Sequence, residues 1–125
     1  MKAWDTNVLI RHLTEDDPEQ LSVARAELAN AQRRNETIWI SLVVIIEASW
    51  VLSAYDLRKS EILNVLERVA SDTRFQLEHG SLLVDAIKKS RKKGDLPEHV
   101  AALVANQAKV SKTQTFDKAL KRFTN

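Results

Sequence analysis

The chain has 125 residues, 44% of them hydrophobic and 29% charged, with a formal net charge of +2 and no cysteine. That length fits a single domain, taken as residues 1–125, with enough apolar content for a real core. The missing cysteines exclude disulfides, thiolate catalysis and Cys-based zinc or iron–sulfur sites, in keeping with a reducing cytosol. No run approaches the ~20 apolar residues of a membrane helix, and Met1-Lys2-Ala3-Trp4-Asp5 has no apolar signal segment, so a soluble cytoplasmic protein is expected.

Lys2 to Trp4 reads as a short strand that delivers Asp5 at its C-terminal end, and Asn7 to Leu13 reads as a brief helix. Asp17-Pro18-Glu19-Gln20 is a well-marked helix start, with Asp as N-cap, Pro at the first helical position and Gln three residues after the cap; this helix should reach about Arg34. Asn35-Glu36 is a turn, and Thr37-Ile38-Trp39-Ile40, rich in β-branched and aromatic residues, is the second strand. Ser41 can cap an apolar helix lasting to about Tyr55, and Ser60 another in which Ile62, Leu63, Leu66 and Val69 recur at helical spacing. Phe75-Gln76-Leu77 is a weaker third strand. A helix from about Leu82 to Lys93 stops at Gly94, a usual left-handed C-cap. Pro97 opens the next, Glu98 to about Ala108, and Lys112 to Thr115 is a fourth short strand leading to Asp117. This alternation implies an α/β fold with a short parallel sheet of about four strands flanked by helices. The chain has only two glycines, so neither an interdomain linker nor a Gly-rich phosphate loop is expected.

Five acids stand at element boundaries or in unusual company. Asp5 and Asp117 each follow a strand, Asp95 and Glu98 flank Pro97, and Glu47 is the one acid in the apolar run Leu42 to Leu52. A buried Glu needs a cation, a hydrogen-bond partner or a shifted pKa, and the run offers Glu47 none. Ligands of an open parallel sheet bind beyond the carboxyl ends of its strands, at a topological switch point, which is where Asp5 and Asp117 would lie and where Glu47, Asp95 and Glu98 could lean in. Oxygen ligands without Cys or paired His suit Mg²⁺ or Mn²⁺ rather than zinc. Each acid also has a plainer role. Asp5 and Asp117 could be N-caps, Asp95 could punctuate the turn before Pro97, Glu98 could answer a helix dipole, and Glu47 could be a hydrogen-bonded structural acid.

The other chemistry-bearing residues are less telling. Lys88, Lys89, Arg91, Lys92 and Lys93 place five positive charges in six residues, which reads either as a solvated helix end or as a phosphate-backbone contact. His12, His79 and His99 fit no ligand spacing; surface or cap roles are expected of the first two, and substrate contact is open to His99 beside Glu98. Trp4, Trp39 and Trp50 are assigned to core packing rather than base stacking.

Taken together, these residues resemble the PIN-domain ribonucleases, in particular the VapC-like toxins of bacterial toxin–antitoxin pairs. Asp5-Thr6-Asn7-Val8-Leu9-Ile10-Arg11 looks like the opening motif, Ile46-Glu47-Ala48-Ser49-Trp50-Val51-Leu52 like the second and Thr115-Phe116-Asp117-Lys118 like the last. The third motif departs: such proteins commonly show two Asp three apart, and here the pair is Asp95 and Glu98, whose extra methylene leaves open which of the two is a ligand. The resemblance implies a PIN-like three-layer sandwich and a Mg²⁺- or Mn²⁺-dependent endoribonuclease. Asp5, Glu47, Asp95, Glu98 and Asp117 would be its catalytic metal ligands, supported by Asn7 and Thr115. It further implies an RNA substrate, a small antitoxin lying across the active-site groove, and a homodimer. The alternative is a catalytically weakened PIN-like module that acts only in a complex with antitoxin and operator DNA. A haloacid-dehalogenase-like phosphatase would want Asp at position 7, where this chain has Asn.

Overall fold

In a computed structural model, which describes residues 1–109, the chain forms two compact units, Met1–Gly80 and Ser81–Asn125. The first unit opens with β1 (Lys2–Ala3), α1 (Thr6–Thr14), α2 (Pro18–Arg33) and β2 (Ile38–Ile40). It continues through α3 (Leu42–Ser53) and α4 (Lys59–Ser71) to β3 (Phe75–Leu77). The strands are parallel in the order β1-β2-β3, with Ala3 opposite Trp39 and Ile38, Trp39 and Ile40 opposite Phe75, Gln76 and Leu77. Parallel neighbours need a crossover rather than a hairpin, and a helix pair supplies it each time, α1–α2 and then α3–α4. Among the described residues, strand order follows chain order; the expected fourth strand, Lys112 to Thr115, and Asp117 lie outside the described residues.

Local chemistry sets the helix ends. Asp5 caps α1 by accepting the Val8 N–H at 3.0 Å, Asp17 caps α2 through the Gln20 N–H at 3.1 Å ahead of Pro18, and Ser41 caps α3 through the Val44 N–H at 3.2 Å. α4 departs from expectation: it starts at Lys59, not after Ser60, because the Glu61 carboxylate reaches back to the Arg58 N–H at 3.0 Å and fixes Arg58 as N-cap. Each helix turns one stripe inward. Leu9 and Ile10 of α1, Leu21, Ala24 and Leu28 of α2, Ile45, Ala48 and Leu52 of α3, and Leu63 and Leu66 of α4 are buried with Ile38 and Ile40 of the central strand.

The second unit contains α5 (Gly80–Lys92), which begins on the last residue of the first unit, and α6 (Leu96–Gln107). Gly94 takes φ 81° in the turn between them, a conformation that glycine adopts without the penalty of a Cβ. His99 is 2% exposed and its Nε2 lies 2.5 Å from the Lys93 carbonyl, so this imidazole ties α6 to the end of α5. A structural role thus replaces the substrate contact considered for it. Among the described residues, no helix is long and apolar enough to cross a membrane.

Candidate functional site

Asp5 and Glu47 both belong to the first unit, on elements that start from one edge of the sheet. β1 and β2 run in register, the Trp4 N–H donates to the Trp39 carbonyl at 3.1 Å, and the chain then leaves the two strands level with each other, at Asp5 and Ser41. Asp5 spends one carboxylate oxygen on the Val8 N–H and is exposed. Glu47 lies six residues beyond Ser41 on α3, which packs against α1.

Glu47 is exposed, which corrects the expectation of a buried acid. The reason is helical phase: Ile45, Ala48, Ser49 and Leu52 form the buried face of α3, and Glu47, two residues from Ile45, is turned about 200° away from it. It has no hydrogen bond or ion pair among the described residues, and it is the only charged side chain on α3. Val43 and Trp50, four residues before it and three after, are 64% and 60% exposed, so Glu47 stands in an apolar stripe open to solvent. Trp50 is therefore not the core residue expected; Trp4 is buried and Trp39 half-buried.

Asp95 is the exposed N-cap of α6, and its N–H faces the Glu98 carboxylate at 3.5 Å, one arm of a capping box. These two acids fall in the second unit with the basic run. Lys88, Lys89, Arg91, Lys92 and Lys93 are all exposed, whereas Ser90 in their midst is fully buried. Asp117 and Thr115 lie outside the described residues. Among the described residues, no group of three or more His, Asp or Glu comes together to hold a metal. Asp5 and Glu47 suit a hard divalent ion in donor chemistry, each with carboxylate oxygen left over, but they do not complete a ligand set.

Three features escaped the sequence reading. Glu78, just after β3, accepts the Leu42 N–H at 2.9 Å while its own N–H donates to the Ile40 carbonyl at 2.9 Å, so a third acid stands at the carboxyl edge and caps the start of α3. Arg11 anchors a polar network: its Nη1 donates to Asp16 at 3.0 Å, its Nε donates to Gln20 at 2.7 Å, and the Tyr55 hydroxyl donates to Asp16 at 2.9 Å. His12, expected at the surface or in a cap, is half-buried edge-on against Trp4 and Phe75 at 5.6 and 5.7 Å between ring centroids. Burial pushes its pKa below the ordinary 6.5, Arg74 adding to the shift and Asp72 opposing it, and its buried Nδ1 lacks a hydrogen-bond partner among the described residues. Only the acids at strand ends gave a sequence signal here, and Glu78 fits that rule.

No curated protein and no solved structure matches the chain. The PIN domain family matches residues 3–125, nearly the whole sequence. The parallel α/β sheet with six described helices agrees with that fold, whose members are generally metal-dependent nucleases. By the extent of this match, the chain belongs to the PIN domain family.

Proposed function

We propose that the protein is a divalent-metal-dependent endoribonuclease, the toxin of a VapC-like toxin–antitoxin pair. The observation that carries this reading is Glu47: an exposed carboxylate, without a partner among the described residues, on a helix that has no other charge. A lone acid there does nothing for the fold, and a family of metal-dependent nucleases gives it a purpose. Asp5 and Glu47, joined by Asp117 and by Asp95 or Glu98, would hold Mg²⁺ or Mn²⁺, with Asn7 and Thr115 supporting the carboxylates by hydrogen bonds. A bound ion supplies an activated water and charge stabilisation of the in-line transition state. The chain's own part is to keep Asp5 fixed by its cap bond to Val8 and to present Glu47 from a rigid helix. The apolar stripe of Val43, Trp50 and Val51 beside Glu47 supports a peptide partner over the same acids, as an antitoxin would be. A homodimer belongs to the same reading.

The test uses the purified chain, free of antitoxin, and an RNA substrate with Mn²⁺, Mg²⁺ or EDTA. Cleavage should require the metal. Asp5→Asn preserves the N-cap, since Asn caps as well as Asp, and Glu47→Gln removes a charge that stabilises nothing, so both variants should melt within about 0.5 kcal/mol of the parent. Their cleavage should fall about a hundredfold or more, at least the upper loss seen when a mere support of a metal ligand is removed. Undiminished cleavage by both variants would sink the proposal. Metal-independent antitoxin binding without any cleavage would favour the binding-module alternative.

A further inference from the structure

Asp5, Asn7, Val8 and Arg11 on one side and Gln20 and Val23 of α2 on the other line a cavity of about 250 Å³. Its walls come entirely from the first unit. The Arg11 guanidinium is fixed there by partners on three segments: Gln20 on α2, Asp16 in the α1–α2 turn, and Tyr55 just after α3, whose hydroxyl lies 3.5 Å from Nη1. Thr14 donates to the same Asp16 at 2.8 Å, so the acid that holds Arg11 is itself held. These bonds occupy Nε and Nη1. The two N–H groups of Nη2 have no partner among the described residues, and the side chain is 33% exposed.

A guanidinium presents five donors in a planar fork, and its remaining amino group suits a phosphate oxygen. Arg11 lies one helical turn from Asn7, on the cavity wall that also carries Asp5. Because its rotamer is already fixed by Gln20 and Asp16, binding an anion would freeze little further motion. We propose that Arg11 binds a non-bridging phosphate oxygen of the RNA strand through Nη2, placing the phosphodiester in the cavity beside Asp5. This rests on the ribonuclease reading and adds to it a substrate-binding residue outside the acid set.

The experiment compares Arg11→Gln with Arg25→Gln, which removes an exposed cation of α2 whose partner is Glu15 at 3.1 Å. Steady-state cleavage of a single-stranded RNA oligonucleotide is measured with Mn²⁺ at several salt concentrations. Arg11→Gln should raise KM about tenfold, as loss of a charge-assisted hydrogen bond does, leave kcat within about twofold, and reduce the salt slope of binding by about 0.7, the value for one single-strand phosphate. Arg11→Lys keeps the charge but not the fork, and should recover part of the loss. Arg25→Gln should match the parent. Equal KM values for Arg11→Gln and Arg25→Gln overturn the proposal and leave the ribonuclease reading standing. If the parent cleaves no RNA, the ribonuclease reading fails, and fluorescence anisotropy of the labelled oligonucleotide in EDTA decides the role of Arg11. Weaker binding by Arg11→Gln than by Arg25→Gln upholds it; equal binding, or none by the parent, overturns it. Should Arg11→Gln melt far below the parent, Arg11→Lys against Arg25→Lys carries the same comparison.

Discussion

Among the described residues, His12 has two aromatic neighbours and a buried Nδ1 with no partner, and burial pushes its pKa down. Of the charged groups around it, Arg74 and Arg25 disfavour a proton on the ring, and Asp72 and Glu15 favour one more weakly. The folded chain therefore takes up this proton at lower pH than the unfolded chain, whose His titrates near 6.5. Stability contributed by neutral His12 is intact above that value and is lost as pH falls through it towards the folded pKa. Asp72 has linkage of the same sign in a lower window: Arg74, bonded at 2.7 Å, holds its pKa below 3.8, so its contribution is lost only in stronger acid. Urea melts from about pH 7 to about pH 5 should show falling stability for the parent and a flatter profile for His12→Phe, which keeps the ring contacts and removes the unpaired nitrogen. Equal losses in both proteins would put the pH dependence elsewhere.

Within the elements, the cap bonds show which physics a sequence reveals. Asp5, Asp17 and Ser41 could be read as N-caps because the side chain and the N–H it accepts lie three residues apart, and all three make that bond. The face of α3 was harder to read. Its twelve residues are apolar nearly all round, so hydrophobicity cannot tell inside from outside, and Glu47 is the single residue that marks the outer face. Glu78 stands legibly at a strand end, but its acceptor role towards Leu42 was not legible, since it spans 36 residues and depends on the pairing of β2 with β3. Its replacement tests that role. Glu78→Ala should cost about 1 kcal/mol, as loss of a helix cap does, and lower the melting temperature by several degrees. Glu78→Gln retains an acceptor oxygen and should lose less than half as much. If both variants melt with the parent, water replaces the Glu78 bond at no cost, and α3 does not depend on it.

Across the whole molecule, a net charge of +2 conceals an uneven distribution. The first unit contains the exposed acids Asp5 and Glu47, while the stretch from Lys88 to Lys93, at the end of α5 and just beyond it, gathers five exposed cations in the second. Cations at a helix C-terminus favour the local dipole by about 0.3–1 kcal/mol each at low salt, an effect confined to the last turn. Contact with a polyanionic substrate would leave a distinct signature, because every phosphate neutralised releases counterions and steepens the salt dependence of binding. Lys88, Lys89 and Lys92 replaced together by Gln should weaken binding of single-stranded RNA and reduce the slope of log K against log salt by about two, at roughly 0.7 per contact. Cleavage positions should be unchanged, since backbone contacts carry no sequence information. A run that serves only as a solvated helix end gives the opposite result, with unaltered affinity at every salt concentration and a small loss of thermal stability that salt abolishes. That outcome would remove the basic run from the substrate-binding surface and leave RNA capture to groups of the first unit.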